Sequence, residues 1–310
     1  DSSGILEESW LDTIVVPWND FEALERAMEL HGREAACVVT EGVMSNMGVI
    51  APKEGYLQRM QELAREHGAL FYLDETVTGF RLAAGGVAEL YGLKPDIVTY
   101  GKALGGGVPM AAIGGSAEVM SGLEWGKVLH FGTHNAGRLS LHICKTMLTT
   151  MLAENQANFA RLKDLGQRMT AEIQRVAREN NRHGVICQGV NSMFQIFFTE
   201  REEITDYRDF CAHVDRLKFR DFVLRLFDKG VYMNPSATLH SLSATLTNSG
   251  YIGIPMMALA YGEPGVLLAI IATLVNGVIF LTIGSILLEL DKAEHRSFAG
   301  TALVTLTGVL

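Results

Sequence analysis

Ala69-Leu70-Phe71-Tyr72-Leu73-Asp74-Glu75-Thr76-Val77-Thr78-Gly79-Phe80-Arg81 is the stretch on which the fold turns. Its first five residues are a short apolar run, the pattern of a strand, and the run ends on a carboxylate at Asp74. Upstream, Asn19 or Asp20 can cap a helix whose Phe21, Leu24, Ala27 and Met28 share one face, with Gly32 as its stop signal. Ala35 to Thr40 is another short apolar run. Lys53 to His67 then carries Leu57, Met60 and Leu63 or Ala64 on one helical stripe, with Gly68 at the C′ position. Downstream, Asp96 to Tyr100 makes a further strand that stops just before Lys102. Strands alternating with helices predict crossover units and a parallel sheet, whose ligands bind beyond the carboxyl ends of the strands. Asp74 and Lys102 both fall at such ends.

The rest of the chain changes character twice. Leu139 to Asn180 predicts long helices rich in Leu, Met, Ala, Arg and Glu; Val185 to Thr199 has strand character; Tyr207 to Lys229 is an amphipathic helix closed by Gly230. Together these predict a smaller α+β domain. Beyond Ala244 only six charged side chains remain, and Val266 to Leu288 is a run of 23 uncharged, mostly apolar residues. At 1.5 Å per residue such a helix would cross roughly 30 Å of hydrocarbon. The expected organisation is therefore a first domain over residues 1–140, a small domain over 141–243 and a hydrophobic, transmembrane-like tail over 244–310.

Composition bounds the function. A chain of 310 residues with 48% hydrophobic side chains can fill two cores, and 26 basic against 35 acidic residues give a net charge of −9. That sign excludes a general binder of nucleic acid through its phosphates. Cys37, Cys144, Cys187 and Cys211 form no Cys-x-x-Cys pair and predict buried thiols in a reducing, cytoplasmic setting. The histidines and cysteines show no metal-ligand spacing, so no metal is expected. The chain lacks an initiator Met and stops inside an apolar run, from which both ends are expected to be cut.

The chemistry is carried by the Asp74 stretch together with Tyr100-Gly101-Lys102-Ala103-Leu104-Gly105-Gly106-Gly107-Val108-Pro109. A phosphate loop of the Walker type needs its lysine after the glycines, and here it precedes them. A carboxylate and a lysine at strand ends suit pyridoxal phosphate instead. The amine forms a Schiff base with the cofactor aldehyde, and the carboxylate keeps the pyridine nitrogen protonated so that the ring accepts carbanion electrons. On spacing alone the bland alternative stays open, with Asp74 capping a helix and Lys102 solvated. His130 and His134 could line such a site or sit on the surface, and Glu75 could orient its neighbours or be solvated.

From about Gly4 to Ser243 the sequence resembles the class III pyridoxal phosphate aminotransferases, and most of all their glutamate-1-semialdehyde 2,1-aminomutase branch. The resemblance rests on the Asp-Glu-x-x-Thr-Gly-Phe-Arg block, the Gly-Lys-x-x-Gly-Gly-Gly-x-Pro block and their separation of 28 residues. It implies fold type I, an α/β architecture with a partial large domain built on a mostly parallel sheet and then the small α+β domain. It also implies a homodimer, a small amino acid or amino-aldehyde substrate, and amino-group transfer, either transamination or the aminomutase reaction. By the same resemblance Lys102 is the Schiff-base lysine and proton shuttle, Asp74 pairs with the pyridine nitrogen, and Asn46, in Glu41-Gly42-Val43-Met44-Ser45-Asn46-Met47-Gly48, meets the cofactor's phenolic oxygen. Gly132-Thr133 stands for the turn whose threonine reaches a neighbouring subunit's cofactor phosphate. Thr76 replaces the Val or Ile that usually packs on the ring, Gly42 replaces a Pro, and Ala136-Gly137-Arg138-Leu139 replaces the usual Gly-Asn-Pro-Leu. No phosphate-binding Ser-Gly-Thr-like turn or stacking aromatic is found before Asn46, so the chain alone is expected to bind the cofactor weakly.

After Val231-Tyr232-Met233-Asn234-Pro235 the pattern breaks near Ser243. Asn248-Ser249-Gly250-Tyr251-Ile252-Gly253-Ile254-Pro255 and Tyr261-Gly262-Glu263-Pro264-Gly265 resemble the auxin efflux carrier family of permeases, in which broken helices bind substrate. That resemblance implies a membrane-inserted tail and gives the alternative function, a carrier fragment. An enzyme continuous with a carrier fragment has no physical rationale, and a joined reading frame is the preferred explanation.

Overall fold

The computed structural model describes residues 11–123, 127–132, 135–180 and 184–231. Helix α1 (Phe21–His31) starts where the Asp20 carboxylate accepts a hydrogen bond from Ala23 N at 2.9 Å, and it stops at Gly32. Strand β1 (Cys37–Glu41) follows, then α2 (Tyr56–His67), β2 (Leu70–Glu75), α3 (Gly86–Tyr91) and β3 (Ile97–Tyr100). With a fourth strand, β4 (Ala112–Gly115), these units make a sheet with the order β1-β2-β3-β4, in which β1, β2 and β3 run parallel. Its register pairs Glu41 with Asp74 and Asp74 with Thr99. Strand β4 lies antiparallel to β3, and the short helix α4 (Ala117–Met120) follows it. The sheet is therefore mixed, with a parallel part that carries Asp74 at a carboxyl end.

Helix α2 begins three residues later than its apolar stripe predicts. Lys53 is drawn away from the helix, its backbone N–H donating to Asn19 Oδ1 at 2.7 Å and its Nζ to Asn19 O at 3.1 Å. Gly55, at φ 77°, then turns the chain into the helix through a left-handed conformation that favours glycine.

The pleat of β2 divides its side chains. Phe71, Leu73 and Glu75 are each 0% exposed, whereas Tyr72 and Asp74 on the opposite face are half-buried. Phe71 and Leu73 belong to one core with Leu24 and Met28 of α1 and Leu57, Met60, Leu63 and Ala64 of α2. Each buried Leu or Phe of this kind contributes about 1.5–3 kcal/mol.

The segment expected to hold long helices is α5 (Arg138–Glu179), a 42-residue element. Glu154, Asn155 and Gln156 interrupt its regularity with φ of 51°, 53° and 65°. A left-handed conformation costs a non-glycine residue roughly 1–2 kcal/mol, so this is a strained point in the chain. Strand character over 185–199 resolves into a hairpin, β5 (Val185–Val190) and β6 (Met193–Phe198). Its turn residue Asn191, at φ 50°, has the left-handed backbone that tight hairpin loops require. The single amphipathic helix expected over 207–229 is two, α6 (Tyr207–His213) and α7 (Arg216–Phe227). The break is caused by Asp215, whose carboxylate takes the Leu217 and Lys218 N–H groups at 3.1 and 2.9 Å and so starts a new helix.

The described residues fall into two compact units, one from within 1–100, 112–132 and 154–238, the other from within 101–111 and 133–153. The first contains the sheet, β5, β6, α6 and α7; the second contains the Lys102 turn and the first part of α5. Val266–Leu288 and the rest of the tail lie outside the described residues. Among the described residues no helix is long and apolar enough to cross a membrane.

Candidate active site

Asp74 occupies the penultimate position of β2, on the half-buried face of the sheet. Its Oδ1 accepts two hydrogen bonds, from Thr76 N at 2.9 Å and from Thr99 Oγ1 at 3.2 Å. The first closes an Asx turn that bends the chain away from the strand, and the second follows from the register that sets Thr99 beside Asp74. Oδ2 accepts no hydrogen bond among the described residues. A carboxylate oxygen in that state is an acceptor held ready for a donor from outside, which is what a protonated pyridine nitrogen supplies. Thr99 Oγ1 is in turn 3.1 Å from Tyr72 OH.

Glu75, one residue on, points to the other face and has a structural task. It is completely buried, and its Oε1 accepts Ala88 N at 2.9 Å while its Oε2 accepts the Thr78 hydroxyl at 2.5 Å. The solvated alternative for Glu75 is thereby corrected: it satisfies backbone N–H groups at the start of α3. Burial pushes its carboxyl above the usual range, assisted by the charge of Asp74 and opposed by these hydrogen bonds. Gly86 makes the approach possible, since a Cβ there would stand 2.5 Å from Glu75 Cδ.

The loop after Asp74 is tied down on its far side. Asn191 Nδ2 donates to Leu82 O at 3.1 Å and Ser192 Oγ to Arg81 O at 2.9 Å, so the β5–β6 turn holds the Thr-Gly-Phe-Arg segment. Phe80, at φ 56°, sets its ring 5.1 Å from that of Tyr100. The Arg81 guanidinium donates through Nε to Val77 O at 3.2 Å and pairs with no carboxylate among the described residues. Burial lowers its pKa.

Asn46 lies in the turn that joins the paired residues Met44 and Ile50, whose backbones exchange hydrogen bonds of 3.0 and 3.3 Å. Its half-buried amide makes no hydrogen bond among the described residues. Gly48 lets this turn lie on the Phe197 ring, where a Cβ would come within 2.6 Å of Cε1. Thr76 is half-buried beside Asp74.

In the second unit, Lys102 opens a short 3-10 helix, Lys102–Gly105, two residues along the chain from the last residue of β3. Its φ is 41°, a left-handed value that a side-chain-bearing residue adopts at a cost. Gly106 ends the turn at φ 55°, its backbone N–H donating to Ala103 O at 3.0 Å. Of the remaining expectations, Gly132 and His130 are exposed, and Thr133 and His134 lie outside the described residues.

Among the described residues no cluster of His, Cys, Asp or Glu could hold a metal ion. An apolar cleft of about 630 Å³, lined by Ile173, Val176, Val185, Ile196, Phe198 and Phe222 among others, shares no residue with those above.

Comparison with known proteins decides the family. The model of the class III aminotransferases matches residues 9–248. The chain belongs to this family. The family uses pyridoxal phosphate. Relatives named glutamate-1-semialdehyde 2,1-aminomutase are 39% identical in Thermus thermophilus, over 76% of this chain and 54% of that protein, and 38% identical in Methanocaldococcus jannaschii, over 76% and 54%. The chain thus spans about half the length of the curated relatives it matches. In fold it is similar to an omega-transaminase from Sphaerobacter thermophilus, with a TM-score of 0.68 at 29% identity over 86% of this chain and 60% of that one. A β-phenylalanine aminotransferase from Variovorax paradoxus gives 0.66 at 27% identity over 81% and 56%. Residues 249–310 lie beyond the family match.

Sequence reasoning missed Tyr72 and Thr99. Thr99 declares itself only once the β2–β3 register is known, and Tyr72 only through Thr99.

Proposed function

We propose that this chain carries the cofactor-binding residues of a pyridoxal phosphate enzyme that moves an amino group on a small amino acid or amino-aldehyde, as an aminotransferase or as a glutamate-1-semialdehyde 2,1-aminomutase. When bound, the cofactor supplies an aldehyde for an amine and a ring that accepts carbanion electrons. Asp74 accepts the pyridine N–H on Oδ2 and keeps that nitrogen protonated. The Lys102 amine attaches the cofactor and carries a proton to and from the substrate carbon. Asn46 donates to the phenolic oxygen, Thr76 flanks the ring, and the Gly132-Thr133 turn serves the phosphate of a second copy in a homodimer. The observation that carries the reading is the state of Asp74: two donors on Oδ1, none on Oδ2 among the described residues. The strained backbone of Lys102 supports it, because such strain concentrates at functional residues.

Borohydride reduction with pyridoxal phosphate followed by peptide mapping tests the assignment. The expected result is a pyridoxyl adduct on Lys102, and an adduct only elsewhere, or none, overturns it. In a complete enzyme carrying this sequence, Asp74→Ala lowers turnover by orders of magnitude while the Lys102 adduct persists.

The tail supports a separate reading. The 23 uncharged residues from Val266 to Leu288 are long enough to span a bilayer. The intact chain then sediments with membranes and a chain ending at Ser243 does not; a monodisperse intact chain without detergent refutes the span.

A further inference from the structure

We propose that Tyr72 is a positioning residue for Asp74, acting through the hydroxyl of Thr99; the proposal rests on the reading that Asp74 holds the pyridine nitrogen. The direction of the chain of hydrogen bonds follows from counting protons. An ionised carboxylate only accepts, so the 3.2 Å contact between Thr99 Oγ1 and Asp74 Oδ1 uses the single hydroxyl proton of Thr99. Thr99 has none left to give, and the 3.1 Å contact with Tyr72 therefore runs from the phenol to the threonine oxygen. The order is Tyr72 to Thr99 to Asp74.

Strand geometry makes this arrangement available. Tyr72 and Asp74 are two residues apart on β2 and share a face, while Thr99 is the register partner of Asp74 on β3. All three belong to the same compact unit. Alone, Thr99 could rotate about its Cα–Cβ bond and point its proton elsewhere. A phenol donating to its oxygen fixes that rotor and polarises the O–H bond toward the carboxylate. Thr76 N holds the same Oδ1 from the other side of the turn. The carboxylate is thereby kept from exchanging its two oxygens, and Oδ2 stays the one that meets the cofactor. Tyr72 touches neither cofactor nor substrate in this account.

The test uses a complete enzyme carrying this sequence, pyridoxal phosphate labelled with ¹⁵N in the ring as the probe, and five variants: Tyr72→Phe, Thr99→Val, Thr99→Ser, Asp74→Ala and the double variant Tyr72→Phe/Thr99→Val. Affinity is read from absorbance titrations, and protonation of the ring nitrogen from its ¹⁵N resonance. One neutral hydrogen bond is worth a few-fold to about tenfold in an equilibrium constant. Tyr72→Phe is expected to weaken binding about 3-fold and Thr99→Val about tenfold. Both shift the resonance toward neutral pyridine, and Thr99→Ser restores it. The double variant binds no more weakly than Thr99→Val, because Tyr72 has no route to Asp74 without Thr99.

Additive losses in the double variant, or a Tyr72→Phe chain with wild-type affinity and resonance, overturn the proposal. Tyr72→Phe keeps the ring and its packing, so it remains informative if Thr99→Val fails to fold. Asp74→Ala separates the two levels. If it leaves the resonance unchanged, the pyridine partner has been misassigned and the relay falls with it. If it abolishes the protonated signal while Tyr72→Phe does nothing, only the relay fails.

Discussion

Replacing Gly86 by alanine attacks a place where a buried carboxylate lies directly against backbone. Two costs add. At φ 63° an alanine gives up roughly 1–2 kcal/mol relative to an unstrained backbone. Its Cβ would also stand 2.5 Å from Glu75 Cδ and Oε1, closer than atoms pack, so the carboxylate must move. Moving it breaks the hydrogen bonds from Ala88 N and Thr78 Oγ1 inside a fully buried site, at about 1–3 kcal/mol each when partners are left unsatisfied. With partial relaxation the expected loss is about 3–5 kcal/mol. Gly92 supplies the control, since it has φ 67° but nothing within 4 Å of a built Cβ. Gly92→Ala bears the conformational cost alone and loses about 1–2 kcal/mol. Urea unfolding of the two variants and the parent chain, followed by circular dichroism and tryptophan fluorescence, reads the difference. Adding Glu75→Ala to Gly86→Ala removes the clash, so the alanine at 86 costs about 1–2 kcal/mol in that background. Equal losses for Gly86→Ala and Gly92→Ala would refute the argument, as would strict additivity with Glu75→Ala.

The pH dependence of stability carries a second prediction. Because burial raises the Glu75 pKa, the folded chain binds that proton more tightly than the unfolded one; its contribution is fully present below the ordinary glutamate value near ~4.3 and is lost as pH rises through the raised folded value. Glu75→Gln is expected to flatten that part of the urea-midpoint profile, and an unchanged slope counts against it. Tyr56, buried with its hydroxyl donating to Pro17 O at 3.2 Å, is pushed up to about 12, so its contribution holds below ~10 and is lost toward 12. Burial also raises Tyr91 and Tyr100, so phenolate absorbance should show a late tyrosine phase whose last part Tyr56→Phe removes. Cys187 is buried, and burial pushes its thiol up to about 11, whereas Cys37 and Cys211 are exposed. A thiol reagent near neutral pH should therefore modify Cys37 and Cys211 and spare Cys187 until urea is added; early labelling of Cys187 would contradict its burial.

Much of the parallel part of the sheet could be read from the chain because its signals are local. Asp20 and Gly32 bound α1, the apolar stripe of α2 repeats at helical spacing, and the run from Leu70 ends on Asp74. What stayed hidden depends on partners distant in sequence. The late start of α2 is dictated by Asn19, 34 residues before Lys53. The antiparallel β4 follows a glycine-rich stretch with no periodicity of its own, and the break at Asp215 competes with a stripe that runs across it. In the site, Asp74 was legible from its place at a strand end. That Glu75 is a buried structural group was not, since its burial is set by α3 and Gly86, and neither were Tyr72 and Thr99, which need the strand register.

Asp74 and Glu75 are adjacent and chemically alike, yet the pleat sends one to the half-buried face and the other into the core. Deleting Leu73 while keeping the pairing would exchange them, with the shorter Asp74 side chain turned to the core face beside Phe71 and the support of α3 turned outward. Damage at the two positions should accordingly segregate in any survey of variants. Changes at 75 would reduce how much folded protein accumulates, and changes at the half-buried 74 would reduce it less while, on the proposed reading, altering what the fold can hold. Two neighbouring codons thus report on separate properties, and abundance measured beside ligand retention is enough to tell them apart.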